Sequence, residues 1–305
     1  MALSGIKIVS DNVFIGWVRA TGFLNAISTK YAPGVALGVG AVQVPVITPG
    51  AAKTWDASKG YEFDDANTSL KTVTFSSPEY VPTSWPSLQH SQELFLTPKL
   101  QAKFEQDGYT LGNKVFKSVE AKWKAVSGLQ TAASVTKSAF DSDDVADMLQ
   151  KIIETEGNPS AWSIVLDDSL YIKLVKEVGV FNKAGESGEK ILFGGELKRL
   201  FGINIFPAAI ANTADNKIGY LVHVGSTAFG SQVVTPSLAS EANKVRTSSI
   251  LPSRDGINLE HLQWYDQDKE VGREVLRVWC GAEVVNPSGI FAITDSAWTA
   301  PTTQG

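Results

Sequence analysis

Cysteine is almost absent from this 305-residue chain, which carries one, Cys280. A single thiol excludes an intrachain disulfide framework and any multi-cysteine zinc site, which fits folding in a reducing compartment. Its apolar neighbours Val278 and Ala282 mark it as a core thiol rather than a nucleophile. Histidine is nearly as scarce: His90, His223 and His261 stand far apart, and none belongs to a paired metal-ligand motif. An excess of positive charge is missing too. With Lys+Arg 27 against Asp+Glu 32 the formal net charge is -5, so the clustered basic charge that neutralises phosphates is lacking and the chain is not expected to grip nucleic acid. No apolar run approaches the roughly 18 residues that cross a bilayer. The nearest, residues 32–46, is broken by Pro33, Pro45 and several glycines. The first residues, Met1-Ala2-Leu3-Ser4-Gly5-Ile6-Lys7, lack the basic region and apolar stretch of a secretory signal, so a soluble, non-exported protein is expected.

What the chain does contain is enough apolar residue, 43%, to bury a real core as one large domain or two modest ones. Its most distinctive stretch lies between Val42 and Trp85. There Val42-Gln43-Val44-Pro45-Val46 and Lys71-Thr72-Val73-Thr74-Phe75 alternate at the strand period around a polar tip at Asp64-Asp65-Ala66-Asn67, which predicts a long two-stranded hairpin. Such a ribbon is marginally stable in water by itself, so a neighbouring subunit is expected to complete it. Ahead of it, Val13-Phe14-Ile15-Gly16-Trp17-Val18 and Phe23-Leu24 read either as an arm packing on another body or as a first element of the core.

After the hairpin, Leu100, Phe104, Leu111, Val115, Val119 and Trp123 recur at mostly fourfold spacing and predict a helix over 97–126. Pro98 suits a first turn and Thr97 an N-cap. Gly108 and Gly112 weaken its middle, so a bend or a close packing contact is expected there. Residues 128–140 read as a small polar connector. A helix capped by Ser142 or Asp143, a buried strand at 162–166 and a helix from Leu170 to Gly179 then suggest an α/β subdomain. Residues 182–189 form a glycine-rich charged loop. Strands are expected at 203–206, 219–224 and around 275–285, the last ended by Asn286-Pro287.

Motifs with chemistry fail one by one. His223-Val224-Gly225-Ser226 lacks the second glycine of a nucleophile elbow. Gly38-Val39-Gly40 lacks the third glycine and the following helix of a dinucleotide loop, and the run from Gly185 to Lys190 has the wrong spacing for a phosphate loop. Asp64-Asp65, Asp143-Asp144 and Asp167-Asp168 read as caps and turns, and the loop beginning at Asp266 lacks a calcium loop's glycine and glutamate. No catalytic, cofactor-binding or metal-ligating residue is expected.

Arm, hairpin, spine helix, α/β subdomain and a C-terminal return strand, in that order, resemble the tailed-phage major capsid protein family of the Hong Kong 97-type fold. Local resemblance sits at Ser91-Gln92-Glu93-Leu94, at Trp162 to Tyr171 and at Asp266 to Pro287. The resemblance implies an α+β fold with an N-terminal arm (1–40), an extended β-hairpin E-loop (41–90), the spine helix of a peripheral domain (91–127), an α/β axial domain (128–245) and a peripheral return with the C-terminus (246–305). It implies a shell of hexamers and pentamers assembled in the host cytoplasm, a portal and packaged DNA held without specific binding. Relatives with a scaffolding domain carry it ahead of the arm, so either the scaffold is a separate protein or this is the mature chain; Met1 just ahead of the arm favours a separate scaffolding protein. Tyr61, Phe63, Val73 and Phe75 become candidates for burial against the adjacent subunit, and the loop from Asn182 to Lys190 for approach to the capsomer axis. Two other readings remain: an encapsulin-like nanocompartment shell, which shares the fold, and an α/β hydrolase-type enzyme using Ser226 and His223.

Overall fold

The structure is a computed structural model, and it describes residues 12–29, 40–47, 68–75, 77–86, 98–155, 158–181, 197–210, 215–232, 247–252, 257–266, 269 and 271–299. Its long axis of order is helix α2, Pro98–Lys124, preceded in sequence by the short helix α1 at residues 12–20. The predicted stripe of α2 is buried at Phe104, Leu111, Val115, Val119 and Trp123, and Phe116 widens it. Helix α1 buries Val13, Trp17 and Ala20, and a 3-10 turn at Gly22–Ala26 adds Phe23, Leu24 and Ala26. An edge-on aromatic contact links the two segments, with Phe23 and Phe116 at 4.9 Å between ring centroids, and Phe116 in turn packs edge-on against Trp123 of α2 at 6.2 Å.

The two helices cross in backbone contact. A Cβ at Gly108 would lie 2.2 Å from the Val13 carbonyl oxygen, one at Gly112 would lie 2.5 Å from Ala20 Cβ, and one at Gly16 would lie 1.8 Å from the Glu105 carbonyl oxygen. The glycines of the spine therefore mark a close contact, and the contact is with the segment read as an arm. For residues 12–29 the core reading holds. Apolar positions 13, 17 and 20 fall on one helical face, and Ser28 bridges to Ala228.

Strands β1 (Ala41–Ile47) and β2 (Thr68–Thr74) pair antiparallel from Ala41 opposite Thr74 to Ile47 opposite Thr68, which is the predicted ribbon. A five-stranded sheet lies against α2. In it β12 (Val271–Val284) pairs over its first part with β11 (Asn258–Asp266) and β3 (Glu79–Pro86), and over Trp279–Val284 with β9 (Thr227–Gln232), while β10 (Thr247–Pro252) borders β11. The second body is a six-stranded mixed sheet in the order β4 (Gln130–Val135), β13 (Ile290–Asp295), β8 (Lys217–His223), β5 (Trp162–Asp167), β7 (Ile203–Ala208) and β6 (Arg199–Leu200). Helices α3 (Ser142–Thr155) and α4 (Asp168–Phe181) cover it over a core of Met148, Ile152, Trp162, Ile164, Leu174 and Ile293.

Four expectations change. The connector at 128–140 contains β4, an edge strand whose run Gln-Thr-Ala-Ala-Ser-Val has no apolar alternation because it is half exposed. Helix α4 continues through Gly179 to Phe181. Asp141, not Ser142 or Asp143, caps α3: its carboxylate accepts from the Asp143 and Asp144 N–H groups, and Asp144 accepts in return from the Asp141 N–H, a capping box. The boundary at 245/246 does not follow the sheets, since β9 pairs with β12 and β13 joins the six-stranded sheet.

In an open helix a glycine-to-alanine change stabilises by about 1 kcal/mol. At Gly16 the sign reverses: Gly16→Ala is expected to cost about 1–3 kcal/mol through overpacking, read as a lower urea midpoint. A raised midpoint would mean that α1 does not sit on α2.

Candidate assembly surfaces

The ribbon has two faces, and the chain's own body takes one. Val42 lies opposite Val73, and Val44, Val73 and Phe75 are buried in a cluster with Ala228, flanked by Val42 and Val285. Strand β2 approaches β12 so closely that a Cβ at Gly281 would stand 2.2 Å from the Thr74 carbonyl oxygen. Val73 and Phe75, expected at a subunit contact, therefore fill an intrachain cluster at the ribbon's root. The opposite face carries the cross-strand pair Pro45 and Leu70, and Leu70 is 57% exposed. Alternation gives both faces but not which one meets the body; Gly281, some two hundred residues on, decides it. Tyr61, Phe63, Asn182 and Lys190 lie outside the described residues.

Polar ties join the central strands of the five-stranded sheet and fix the spine to both sheets. Arg277 Nε donates to Glu260 Oε2 at 2.6 Å between directly opposed residues of β12 and β11, both nearly sealed from water. Losing one partner of such a pair strands a buried charge. Lys103 on α2 donates to Asp107 at 2.7 Å and to Thr83 of β3 at 2.9 Å. At the helix's far end Trp123 Nε1 donates to Thr227 Oγ1 at 2.9 Å, and the Tyr220 hydroxyl donates to Glu120 at 3.1 Å. Lys124 bridges Glu120 at 2.9 Å and Asp215 at 3.0 Å. Burial pushes the Tyr220 hydroxyl far above its ordinary range, helped by Glu120. Burial opposes the charged form of Asp215, but hydrogen bonds from Lys124 and from the Lys217 N–H outweigh it and hold the carboxyl below its usual range.

The residues weighed for chemistry have structural partners. The Ser226 side chain is fully buried with Oγ 3.4 Å from Thr227 Oγ1, its carbonyl accepts from the Val285 and Asn286 N–H groups, and His223 Nδ1 accepts from the Gly225 N–H at 3.1 Å. Cys280 is a partly buried thiol against the main core, pushed up to about 12 by burial and then by Glu79. Asp167 pairs with Lys137 at 2.7 Å and accepts from Ser169, while Asp168 is raised by burial and then by Asp167. An open cleft of about 850 Å³ between α1, α2, α4 and β7 is lined by Val18, Tyr109, Tyr171, Ile172 and Phe206. Among the described residues no group of three or more His, Cys, Asp or Glu is arranged to hold a metal, and no helix is long and apolar enough to cross a membrane.

Two outcomes follow from these contacts. In Gly281→Ala the added methyl group must displace the ribbon's root, so amides at 42–46 and 69–74 should exchange with solvent faster than in the parent; unchanged exchange would mean the ribbon is not seated on β12. Asp215, depressed in the folded state, contributes stability that is present above its unfolded pKa of about 3.9 and is lost as pH falls through the lower folded value. The urea midpoint of Asp215→Asn should therefore lie below that of the parent at neutral pH and converge with it in strong acid, and a gap independent of pH would contradict the ion-pair assignment.

No protein-family model matches the sequence, and no curated protein matches it. Solved structures do match the fold. One from Mycobacterium phage Che8 aligns with a TM-score of 0.61 at 14% identity, covering 92% of this chain and 94% of that one. The capsid structure of the Cyanophage P-SCSP1u gives 0.55 at 11% identity, covering 87% and 86%. The virus-like particle from Pyrococcus furiosus gives 0.53 at 10% identity, covering 93% and 97%. With its spine helix, its root-anchored ribbon and its two sheets, this chain has the Hong Kong 97-type fold of tailed-phage capsid proteins.

Proposed function

We propose that this chain is the major capsid protein of a tailed phage, self-assembling through hexamers and pentamers into the icosahedral head shell around a double-stranded DNA genome. The observation that carries the reading is the fold match over roughly nine-tenths of both chains with the Che8 phage structure, together with a cyanophage capsid match of similar extent. The virus-like particle from Pyrococcus furiosus aligns over as much of the chain but less well, at 0.53 against 0.61, so the nanocompartment reading stands second.

On this reading the role is structural rather than enzymatic, the assembly forms in the host cytoplasm, and the mature location is the virion. A separate scaffolding protein and a portal are the expected partners. The net charge of -5 suits a wall that contacts packaged DNA without binding it specifically. Contact between copies runs through the ribbon. Because Val73 and Phe75 are taken by the subunit itself, the outward pair Pro45 and Leu70 replaces them as the contact, continued by Tyr61 and Phe63. Residues from Asn182 to Lys190 face the capsomer axis.

Electron microscopy of the purified chain, alone or with its scaffold, should give rings or closed shells; a monodisperse monomer under every condition would overturn the proposal. Leu70→Asp changes an exposed side chain, so its unfolding free energy should stay within about 0.5 kcal/mol of the parent. Its assembly should nonetheless fail, because a charge would be buried between copies. Normal shells from Leu70→Asp would remove the ribbon's outward face from the interface.

A further inference from the structure

One turn in the α/β body is built against local preference. Leu200 of β6 pairs with Ile203 of β7, leaving Phe201 and Gly202 as a two-residue hairpin loop. Both have positive φ, 49 for Phe201 and 86 for Gly202. A tight hairpin of this kind needs left-handed backbone at both positions, and asparagine or aspartate followed by glycine meets that need without steric cost. A bulky aromatic there is an outlier. Its ring is only half covered in return, being 48% exposed. Residues held in unfavourable backbone with an exposed apolar side chain concentrate at functional contacts.

The surroundings carry charge of opposite sign on opposite edges of one sheet. Strand β6 is one edge, and Lys198 and Arg199 beside the turn are exposed. Strand β4 is the other edge, and α3 packs beside it. The first turns of α3 carry Asp141, Asp143, Asp144 and Asp147. Asp141 and Asp144 are accounted for by the capping box. Asp143 gains from the helix's N-terminal dipole, but Asp147 lies beyond the first turn where that effect has decayed, and both are exposed. Asp144 is held above the ordinary carboxylate range by burial and then by the charges of Asp141, Asp147 and Asp143.

We infer that the β6–β7 turn is a docking element for a second copy of this chain, with Phe201 as its anchor and Lys198 and Arg199 set against Asp143 and Asp147 on the next copy's helix α3, which packs against its β4 edge. Because the two patches lie on opposite edges, the contact is head-to-tail, and it forms a ring where the rotation between copies closes, as the proposed hexamers and pentamers require. A self-complementary two-fold contact would need both patches on one face. The inference rests on the shell reading and names an interface that the ribbon does not supply.

Phe201→Asn separates folding from docking, because asparagine suits the left-handed position. The variant should melt at or above the parent's temperature, while the concentration needed for rings or shells rises at least about tenfold, as loss of a hot-spot side chain would require. The pair Asp143→Lys with Asp147→Lys should lose assembly in the same way. Adding Lys198→Asp and Arg199→Asp to that chain should restore it, which a merely structural role for any of the four would not do. Assembly of Phe201→Asn at the parent's concentration, or no recovery in the folded charge-swapped chain, overturns the inference. If those variants assemble while Leu70→Asp does not, the docking turn is wrong and the shell reading stands. If the parent itself forms no particle, both fall.

Discussion

Strand β12 must satisfy neighbours on both its edges and both its faces, and the rest of the subunit is arranged around that requirement. Along its edges it bonds to β11 and β3 and then to β9. On one face Leu276, Val278, Ala282 and Val284 enter the same core as the stripe of α2. On the other, Gly281 has no side chain, and the Thr74 carbonyl of the ribbon occupies the space a Cβ would take. Helix, sheet and ribbon root are thereby referred to one strand, so the direction in which the ribbon leaves the body is set by the same residues that build the core. A ribbon hung on a flexible loop could reach many positions. One seated on a central strand presents Leu70 and Pro45 in a single direction, which is what a lattice contact repeated many times needs.

Where local pattern is strong and uninterrupted, the sequence was legible. The fourfold stripe of α2 and the alternation of β1 and β2 each point to one period, and the apolar run of β5, too short for a helix and bounded by Asn158-Pro159, reads as a strand by its length. Gly108 and Gly112 rightly pointed to a close contact. Their partner was hidden because Gly16 sits in a short apolar run whose helical face emerges only when Val13, Trp17 and Ala20 are placed on α2. The run in β4 was not legible because an edge strand half open to water has no need of alternation. The cap at Asp141 was missed by one residue among several acidic candidates that geometry alone separates. The largest miss, the facing of Val73 and Phe75, has the same origin: two-residue periodicity defines opposite faces, and only a distant glycine says which of them is buried.

The polar ties named above are grouped where parts meet. Arg277 and Glu260 tie the central strands of one sheet, Lys103 and Asp107 of α2 both bond Thr83 of β3, and Glu120, Lys124, Asp215 and Tyr220 tie the end of α2 to the other sheet. A buried ion pair is a weak source of net stability against an apolar alternative of equal volume. What it adds is geometry, because a displaced partner leaves an unpaired charge. Pairs at the joints between elements therefore penalise relative movement more than they raise total stability.

The contrast between these joints and the exterior bears on how copies meet. Leu70, Phe201, Tyr80 and Val224 stand exposed at separate places, on the ribbon, the β6–β7 turn, an edge strand and the β8–β9 turn, while Val18 and Ile172 are exposed together in the cleft between α1, α2, α4 and β7. Scattered apolar residues neither aggregate the free chain nor hold a dimer by themselves. Several weak contacts made at once along a closed ring do hold, because each added contact on a subunit already fixed by its neighbours is effectively intramolecular. A surface of small separate anchors on a subunit with stiff internal joints thus favours an assembly that is all-or-none in size and reversible at each contact. In the shell proposed above, that combination would let misplaced subunits leave before closure.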